Sequence, residues 1–428
     1  MQKKYLVLCL ASVLPFGFAA SALAQSANPA APAVAAPYQL SGTSISGASS
    51  ATSVILTTPV APTAAAYKTE SGIYLYPNAF LGSGRNDNVL STNTDQISSN
   101  FLRFEPQLVA EFKNKGDRYT ALAWLAGTRY ADIAEENVTN SEFKVAGDNY
   151  FSSRARAGWS IGRIDNADAR GATKRSLSTT PDRWHANSLD ARLIYGAPEA
   201  PGRFEVDLAR QVKAYENNRD VTTLGDLTLN SFAGRGFYRL GTRTLALAEF
   251  RQAKANYASA VSTDSNTERR YYAGVTWEAT AATTGIVKVG RMTKDFDLAS
   301  RPSYSGGSWE ATARWAPRTY SVFDLTTGRA TADATGFGNY TLNTSTDLVW
   351  NHAWTQSLNS RVAVGSLSTE FAGTTRTDRA TNYALKVDYA VLRWLRIGAD
   401  FARTDNASSD AFAAYKRNIT MLTLNASL

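Results

Sequence analysis

In TNYALKVDYAVLRWLRIGADFART, Thr381 to Thr404, the residues Tyr383, Leu385, Val387 and Tyr389 alternate one by one with Asn382, Ala384, Lys386 and Asp388. A period of two is the mark of a strand with one apolar and one polar face. The pattern fills most of the chain. In LRFEPQLVAEF, Leu102, Phe104, Leu108, Ala110 and Phe112 oppose Arg103, Glu105, Gln107 and Glu111. Leu189, Ala191, Leu193 and Tyr195 oppose Asp190 and Arg192, and Phe204, Val206 and Leu208 oppose Glu205 and Asp207. Tyr271, Ala273, Val275 and Trp277 oppose Arg270, Thr276 and Glu278, while Trp309, Ala311, Ala313 and Trp315 oppose Glu310, Thr312 and Arg314. Leu348, Trp350 and Trp354 oppose Asp347 and Asn351.

The connections between these segments alternate in length. Short ones fall at Lys113–Gly116, Ser152–Arg154, Pro198–Gly202, Gly241–Thr242, Ala281–Thr284, Pro317–Arg318, Gln356–Ser360 and Leu392–Trp394. Long polar ones, such as GSGRNDNVLSTNTDQISS and NADARGATKRSLSTTPD, lie between them. Walking the chain gives about 18 strands, with 16 as the nearest alternative, and with short turns gathered at one end. Val138–Tyr150 and Ala155–Asp165 are read as two of them. After Ser71 no apolar run reaches the roughly 18 residues a spanning helix needs. A bilayer offers no hydrogen-bond partner to a bare strand edge, so strands cross it only as a closed ring.

The sequence therefore predicts an all-β fold, a transmembrane antiparallel up-and-down barrel over 71–428. A soluble β-sandwich also alternates, but it seldom keeps its short turns to one side through so many strands. The length of 428 residues, which alone would suggest two or three soluble domains, yields to this pattern.

The barrel reading assigns each face an environment. Lumen-facing residues are Arg103, Glu105, Glu111, Asp190, Arg192, Glu205, Asp207, Arg235, Arg239, Arg270, Glu278, Glu310, Arg314, Asp347, Lys386, Asp388, Arg396 and Asp400. Most of these charges are expected to pair across strands and keep the lumen hydrated. Phe104, Tyr195, Trp277, Trp309, Trp315, Trp354, Tyr383, Tyr389 and Trp394 are lipid-facing or interfacial, many near strand ends, where a ring with a polar tip suits the membrane boundary. On this reading Leu385→Arg harms assembly and Lys386→Gln hardly does. The last strand, Tyr415 to Leu428, ends on Leu422, Leu424, Ala426 and Leu428. Assembly by the outer-membrane barrel machinery is expected.

The first residues differ in texture. MQKKYLVLCLASVLPFGFAASALAQS has a basic start, an apolar run and Ala22-Leu23-Ala24, which reads as a signal peptide cut after Ala24. Cys9, the only cysteine, falls inside it, so no disulfide or thiol chemistry is expected of the mature chain. Residues 25–70 are rich in Ala, Pro, Ser and Thr and read as a flexible periplasmic leader. Within them VILTTPV, Val54 to Val60, is the piece best able to order.

Catalytic chemistry finds little to use. With 2 His and one Cys, a zinc or haem site is not expected. His352 shares parity with Trp350 and Trp354, and His185 stands beside Trp184; both read as interfacial aromatics rather than as partners of a nucleophilic serine. Asp388 and Asp400 read as wall carboxylates rather than a glycosidase pair. The glycines of RLGTR and GRGFY mark turns and close strand contacts. A formal charge of +8 with interspersed signs does not point to nucleic acid. No catalytic residue, metal or cofactor is assigned.

GSGRNDNV (Gly82–Val89), RWAPRTYSVFDLTTGRA (Arg314–Ala330), WNHAW (Trp350–Trp354) and Thr375–Asn418 together give the chain a family likeness. It resembles the β-barrel porins found beside exopolysaccharide biosynthesis genes, the EpsL-type outer-membrane proteins, over about Gly72 to Leu428. The resemblance implies a part in exporting a secreted or capsular polysaccharide across the outer membrane, with a periplasmic polysaccharide-export protein as partner. It transfers no catalytic residue. Two other functions remain open: a general or nutrient-specific porin, and a surface barrel whose long loops bind or adhere.

Overall fold

The computed structural model describes residues 67–168, 180–197, 199–280, 282–333 and 338–427. The expected signal peptide, all of the 25–70 leader before Tyr67 (VILTTPV included), and Leu428 lie outside them. Nineteen strands form one antiparallel sheet. The first, β1 (Tyr67–Lys68), is a two-residue segment beside the start of β2. The remaining eighteen close on themselves: β2 (Tyr74–Asn86), β3 (Ser99–Asn114), β4 (Asp117–Tyr130), β5 (Val138–Tyr150), β6 (Ala155–Ala167), β7 (Arg183–Tyr195), β8 (Gly202–Tyr215), β9 (Leu227–Gly241), β10 (Thr244–Tyr257), β11 (Asn266–Thr280), β12 (Thr283–Phe296), β13 (Tyr304–Arg318), β14 (Ser321–Asp333), β15 (Tyr340–Ala353), β16 (Leu358–Phe371), β17 (Thr377–Leu392), β18 (Leu395–Ser408) and β19 (Tyr415–Ser427). Each pairs with its sequence neighbours, and β19 returns to β2 from Ile419↔Asn86 to Ser427↔Asn78. The ring has no free edge, so each strand finds its backbone partners within the sheet. No helix among the described residues is long and apolar enough to cross a membrane.

The expected short connections all join an odd-numbered strand to the next even one, from β3–β4 to β17–β18, and so lie at one end of this ring. Lys115 and Gly116, joining β3 to β4, both take positive φ (50° and 103°). That is the backbone a two-residue hairpin requires, and Gly adopts it without strain. The ambiguous stretch after Asn137 does form two strands, β5 and β6, joined at Phe151–Arg154.

The inner face is identified by contacts that skip strands. Arg251 on β10 reaches Glu310 on β13 at 2.9 Å, and Lys288 on β12 reaches Glu249 on β10 at 2.9 Å. Side chains of non-adjacent strands meet only on the concave side of a curved sheet. The register carries this parity around the ring. On β17 it puts Asn382, Ala384, Lys386 and Asp388 inside, all buried, and Tyr383, Leu385, Val387 and Tyr389 outside, all exposed.

Candidate functional site: the lumen wall

The inner wall is not uniformly polar; its chemistry is concentrated between β7 and β13. Arg192 grips Asp207 with two parallel bonds of 2.5 and 2.8 Å. Arg235 takes the other side of Asp207 at 2.5 Å and reaches Glu249 at 3.3 Å. Glu249 also accepts from Arg251 at 2.5 Å. Lys288 bridges Glu249 and Glu310, the latter at 2.5 Å, and Arg270 joins Glu268 at 2.5 Å and Glu310 at 3.5 Å. The result is a continuous chain of alternating charge across seven strands. Asp207, Glu249 and Glu310 each serve more than one cation, which spreads the desolvation cost that an isolated buried pair would carry.

Register explains why these groups meet. Glu205, Arg235, Glu249 and Tyr272 stand side by side on β8, β9, β10 and β11. The next residue in that row is Gly290, followed by Ser308 on β13. A Cβ on Gly290 would lie 1.8 Å from the Tyr271 carbonyl oxygen. Glycine there leaves the surface over which Tyr272 extends its hydroxyl to Ser308 at 2.7 Å.

A second feature narrows the wall at the long-loop end. The β13–β14 ladder stops at Trp309↔Arg329, while the β14–β15 ladder runs on to Asp333↔Tyr340. Beyond Arg329 the residues Ala330, Thr331 and Ala332 are buried in succession, as are Thr341 and Leu342 on β15. A strand in the wall buries alternate residues; this tip buries both faces because it folds into the lumen. Its outer face packs on the inner face of β10–β13. Thr331 donates to Glu268 and covers Met292, which is 0% exposed. Asp333 accepts from Lys294, from the Tyr257 hydroxyl at 2.7 Å and from Asn266 at 3.0 Å. Tyr340 packs 5.4 Å from Tyr304, between ring centroids.

The opposite character holds from β15 to β19. Ala363, Ala384 and Ala402 form a small buried apolar cluster with Val349 and Ile419. Thr404 donates to Asn382 at 2.9 Å, and Asn78 and Asn425 exchange amide bonds at 3.2 and 3.3 Å. Charge is sparser here: Lys386 lies between Asp400 at 2.9 Å and Asp388 at 3.4 Å, with Arg361 directly across from it in register, and Asp347 and Arg396 stand on the same inner face. The Asp400 side chain is fully buried. Lys386→Gln is therefore not the mild change its polarity suggested, because it strands a buried carboxylate.

Besides Lys386, Asp388 and Asp400, the structure sorts the expected lumen residues into three groups and one outlier. Arg192, Arg235, Arg270 and Glu310, with Glu205 and Asp207, enter the charged network. Arg103 pairs locally with Glu105, Glu111 meets Arg118 at 2.7 Å, Arg314 meets Asp324 at 3.7 Å, and Asp190 accepts from Ser160 at 2.9 Å. Asp347, Arg239 and Arg396 are half-buried, with Arg239 near the short turns beside Glu199 at 3.6 Å. Glu278 stands apart: the register breaks after Trp277, and its side chain is exposed at the short-turn end.

Among the aromatics, Phe104, Tyr195, Trp315, Trp354, Tyr383, Tyr389 and Trp394 are exposed on the outside, while Trp277 and Trp309 are half-buried. His352 lies among Tyr320, Trp350 and Trp354, its ring 4.4 Å from Trp354. His185 is also on the outer face, 2.9 Å from Glu216. Asp165 joins these two closely enough to hold a cation, but Arg163 already supplies the counter-charge at 2.6 Å from Asp165.

Sequence reasoning missed Glu249, Arg251, Glu268, Lys288, Lys294 and Asp333. Glu249, Arg251 and Glu268 carried a usable signal, since AEFRQAK and TERRYY each place like-facing charged residues two apart, and in KVGRMTK the two lysines share a face six apart. Asp333 carried none, since its place depends on the inward fold of the hairpin.

No curated relative matches the chain. Among solved structures, OccK2 (OpdF) of Pseudomonas aeruginosa, solved in complex with glucuronate, is 11% identical with a TM-score of 0.48, covering 85% of this chain and 100% of that one. OprD of Pseudomonas aeruginosa is 11% identical with a TM-score of 0.44, covering 86% and 98%. The FrpB iron transporter of Neisseria meningitidis is 9% identical with a TM-score of 0.43, covering 78% of this chain; the match spans only 62% of FrpB. The family model described as "Putative beta-barrel porin 2" matches residues 71–428. With its closed ring, apolar exterior and charged interior, the chain is an outer-membrane porin-like barrel, and it belongs to the Putative beta-barrel porin 2 family.

Proposed function

We propose that the barrel conducts hydrophilic solutes, saccharides foremost, across the outer membrane by diffusion along its inner wall. The observation that carries this reading is the ion-paired network from Arg192 to Glu310. Its charges satisfy one another, so the wall hydrogen-bonds passing hydroxyl groups without holding any one ion. A carboxylate-bearing sugar competes transiently for the guanidinium forks, which suit such groups bidentately. An eighteen-stranded ring is wide enough to enclose an aqueous channel. Export of an exopolysaccharide, aided by a periplasmic export protein, is the finer form of this reading; its support is the sequence resemblance.

Two measurements test the proposal. Reconstituted into planar bilayers, the protein is expected to give steady ohmic conductance that falls on addition of uronic-acid oligosaccharides. Silent membranes would favour a closed barrel acting through its loops. Deleting the gene and measuring extracellular polysaccharide separates export from uptake: unchanged secretion leaves diffusive uptake standing and removes export.

A further inference from the structure

The outer wall over β17, β18, β19, β2 and β3 carries an open groove of about 660 Å³. Register shows how it forms. One outward row runs Leu385, Phe401, Thr420, Arg85, Asn100 across the five strands. In the adjacent row toward the short turns, Ala399 and Ser83 flank Leu422, which is 70% exposed. Small side chains at Ala399, Thr420 and Ser83 make the floor, and Leu385, Phe401 and Leu422 stand up as walls. The volume falls in the range of small-molecule sites.

The groove has a polar head. Arg85 is exposed, lies on the long-loop side of the groove, and donates to Ser98 at 3.0 Å. No described carboxylate pairs with it. Arg403, one outward position beyond Phe401 toward the long loops, meets Asp405 only at 3.9 Å. Thr420, Ser83 and Asn100 place hydroxyl and amide groups along the same track. In outer-membrane barrels the long loops face outward and the short turns face the periplasm, so Arg85 stands at the outer-leaflet side of the apolar band.

We propose that this groove is a binding site for a lipid of the outer leaflet that bears a phosphorylated headgroup. An acyl chain lies between Leu385, Phe401 and Leu422, and a phosphate takes the Arg85 guanidinium, with Arg403 as a second cation. The fork geometry of arginine suits phosphate, and its alkyl stem extends along apolar wall while the charge reaches the headgroup layer. A second copy of the chain fits less well, since covering the groove would bury Arg85 without an acid.

The test uses the full chain in phosphatidylcholine nanodiscs doped with lipid A or with its dephosphorylated form, read by native mass spectrometry. Lipid A is expected to remain bound. Arg85→Gln should lower its retention about tenfold, the loss of one charge-assisted bond, with little effect on the dephosphorylated lipid. Thr420→Trp fills the floor and should lower retention of both. Arg291→Gln, outward on β12 on the far side of the ring, should change neither. Equal retention by wild type and Arg85→Gln overturns the proposal, as does a Thr420→Trp protein that loses an oligomer but keeps its lipid. Arg85 is exposed, so its variant keeps the question answerable even if Thr420→Trp fails to fold.

Discussion

The two sides of the lumen wall solve the same problem differently. From β7 to β13 the inner face is a chain of Arg, Lys, Asp and Glu, with a hairpin folded over its long-loop end. From β15 to β19 alanine, asparagine and threonine come to the fore, and the charges that remain, Asp347, Arg361 and Arg396 with the group around Lys386, form no comparable chain. Both walls satisfy the backbone through the same ladders. The charged wall is fastened further by side chains that cross two or three strands. The alanine wall is held by its ladders and by a small packed cluster of short side chains. Long-range ion pairing and small-residue packing are thus assigned to different strands of one ring.

The contrast is broken most severely at Glu310, which serves Arg251, Lys288 and Arg270 together. Glu310→Ala is expected to cost about 3–5 kcal/mol, the usual loss when buried charges are left unpaired. Heat-modifiability gels should show a lowered unfolding temperature; an unchanged temperature would mean the network adds no strength.

On the alanine wall the outward face matters more than the inward one. Leu385→Arg should cost about 2–4 kcal/mol by placing charge against hydrocarbon. Lys386→Gln should also weaken the barrel, and adding Asp400→Asn should restore it, because the double variant removes both halves of the pair. If the double variant is no better than the single, Asp400 is not held by Lys386.

Asp333→Asn sharpens the comparison at the hairpin. It weakens the hold on Lys294, Tyr257 and Asn266 at a local cost of about 1–3 kcal/mol. Larger or noisier single-channel currents are the expected readout, with the unfolding temperature almost unchanged. Currents identical to wild type would show that the tip does not narrow the path.

A comparable or smaller stability effect is expected at Ala384→Leu, which overpacks the buried cluster of Ala363 and Ala402 at a cost of about 1–3 kcal/mol. An unfolding temperature equal to wild type would show that the cluster has room for the added methylenes.

Much of this architecture could be read before any coordinates. Alternation at Tyr383–Asp388 gave each residue its face, because a strand turns its side chains over at every step. The short connections were visible as polar pairs such as Lys115–Gly116, and they set the strand number. Partners were not visible. That Arg235 meets Asp207 and Glu249 depends on how three strands slide past one another. The same holds for the misjudged Lys386→Gln, whose effect turns on Asp400, fourteen positions away in sequence and directly across in register.

The sequence by itself determined the class of fold, the two faces of each strand and the end at which the tight turns gather. These properties are local: side-chain period and turn chemistry act within a few residues. Only the closed ring decided which charges meet across the interior, that the β14–β15 tip lies inside rather than above the barrel, and that Arg85 heads a groove made by five strands. Those depend on shear and curvature, which bring together residues that no stretch of sequence holds adjacent.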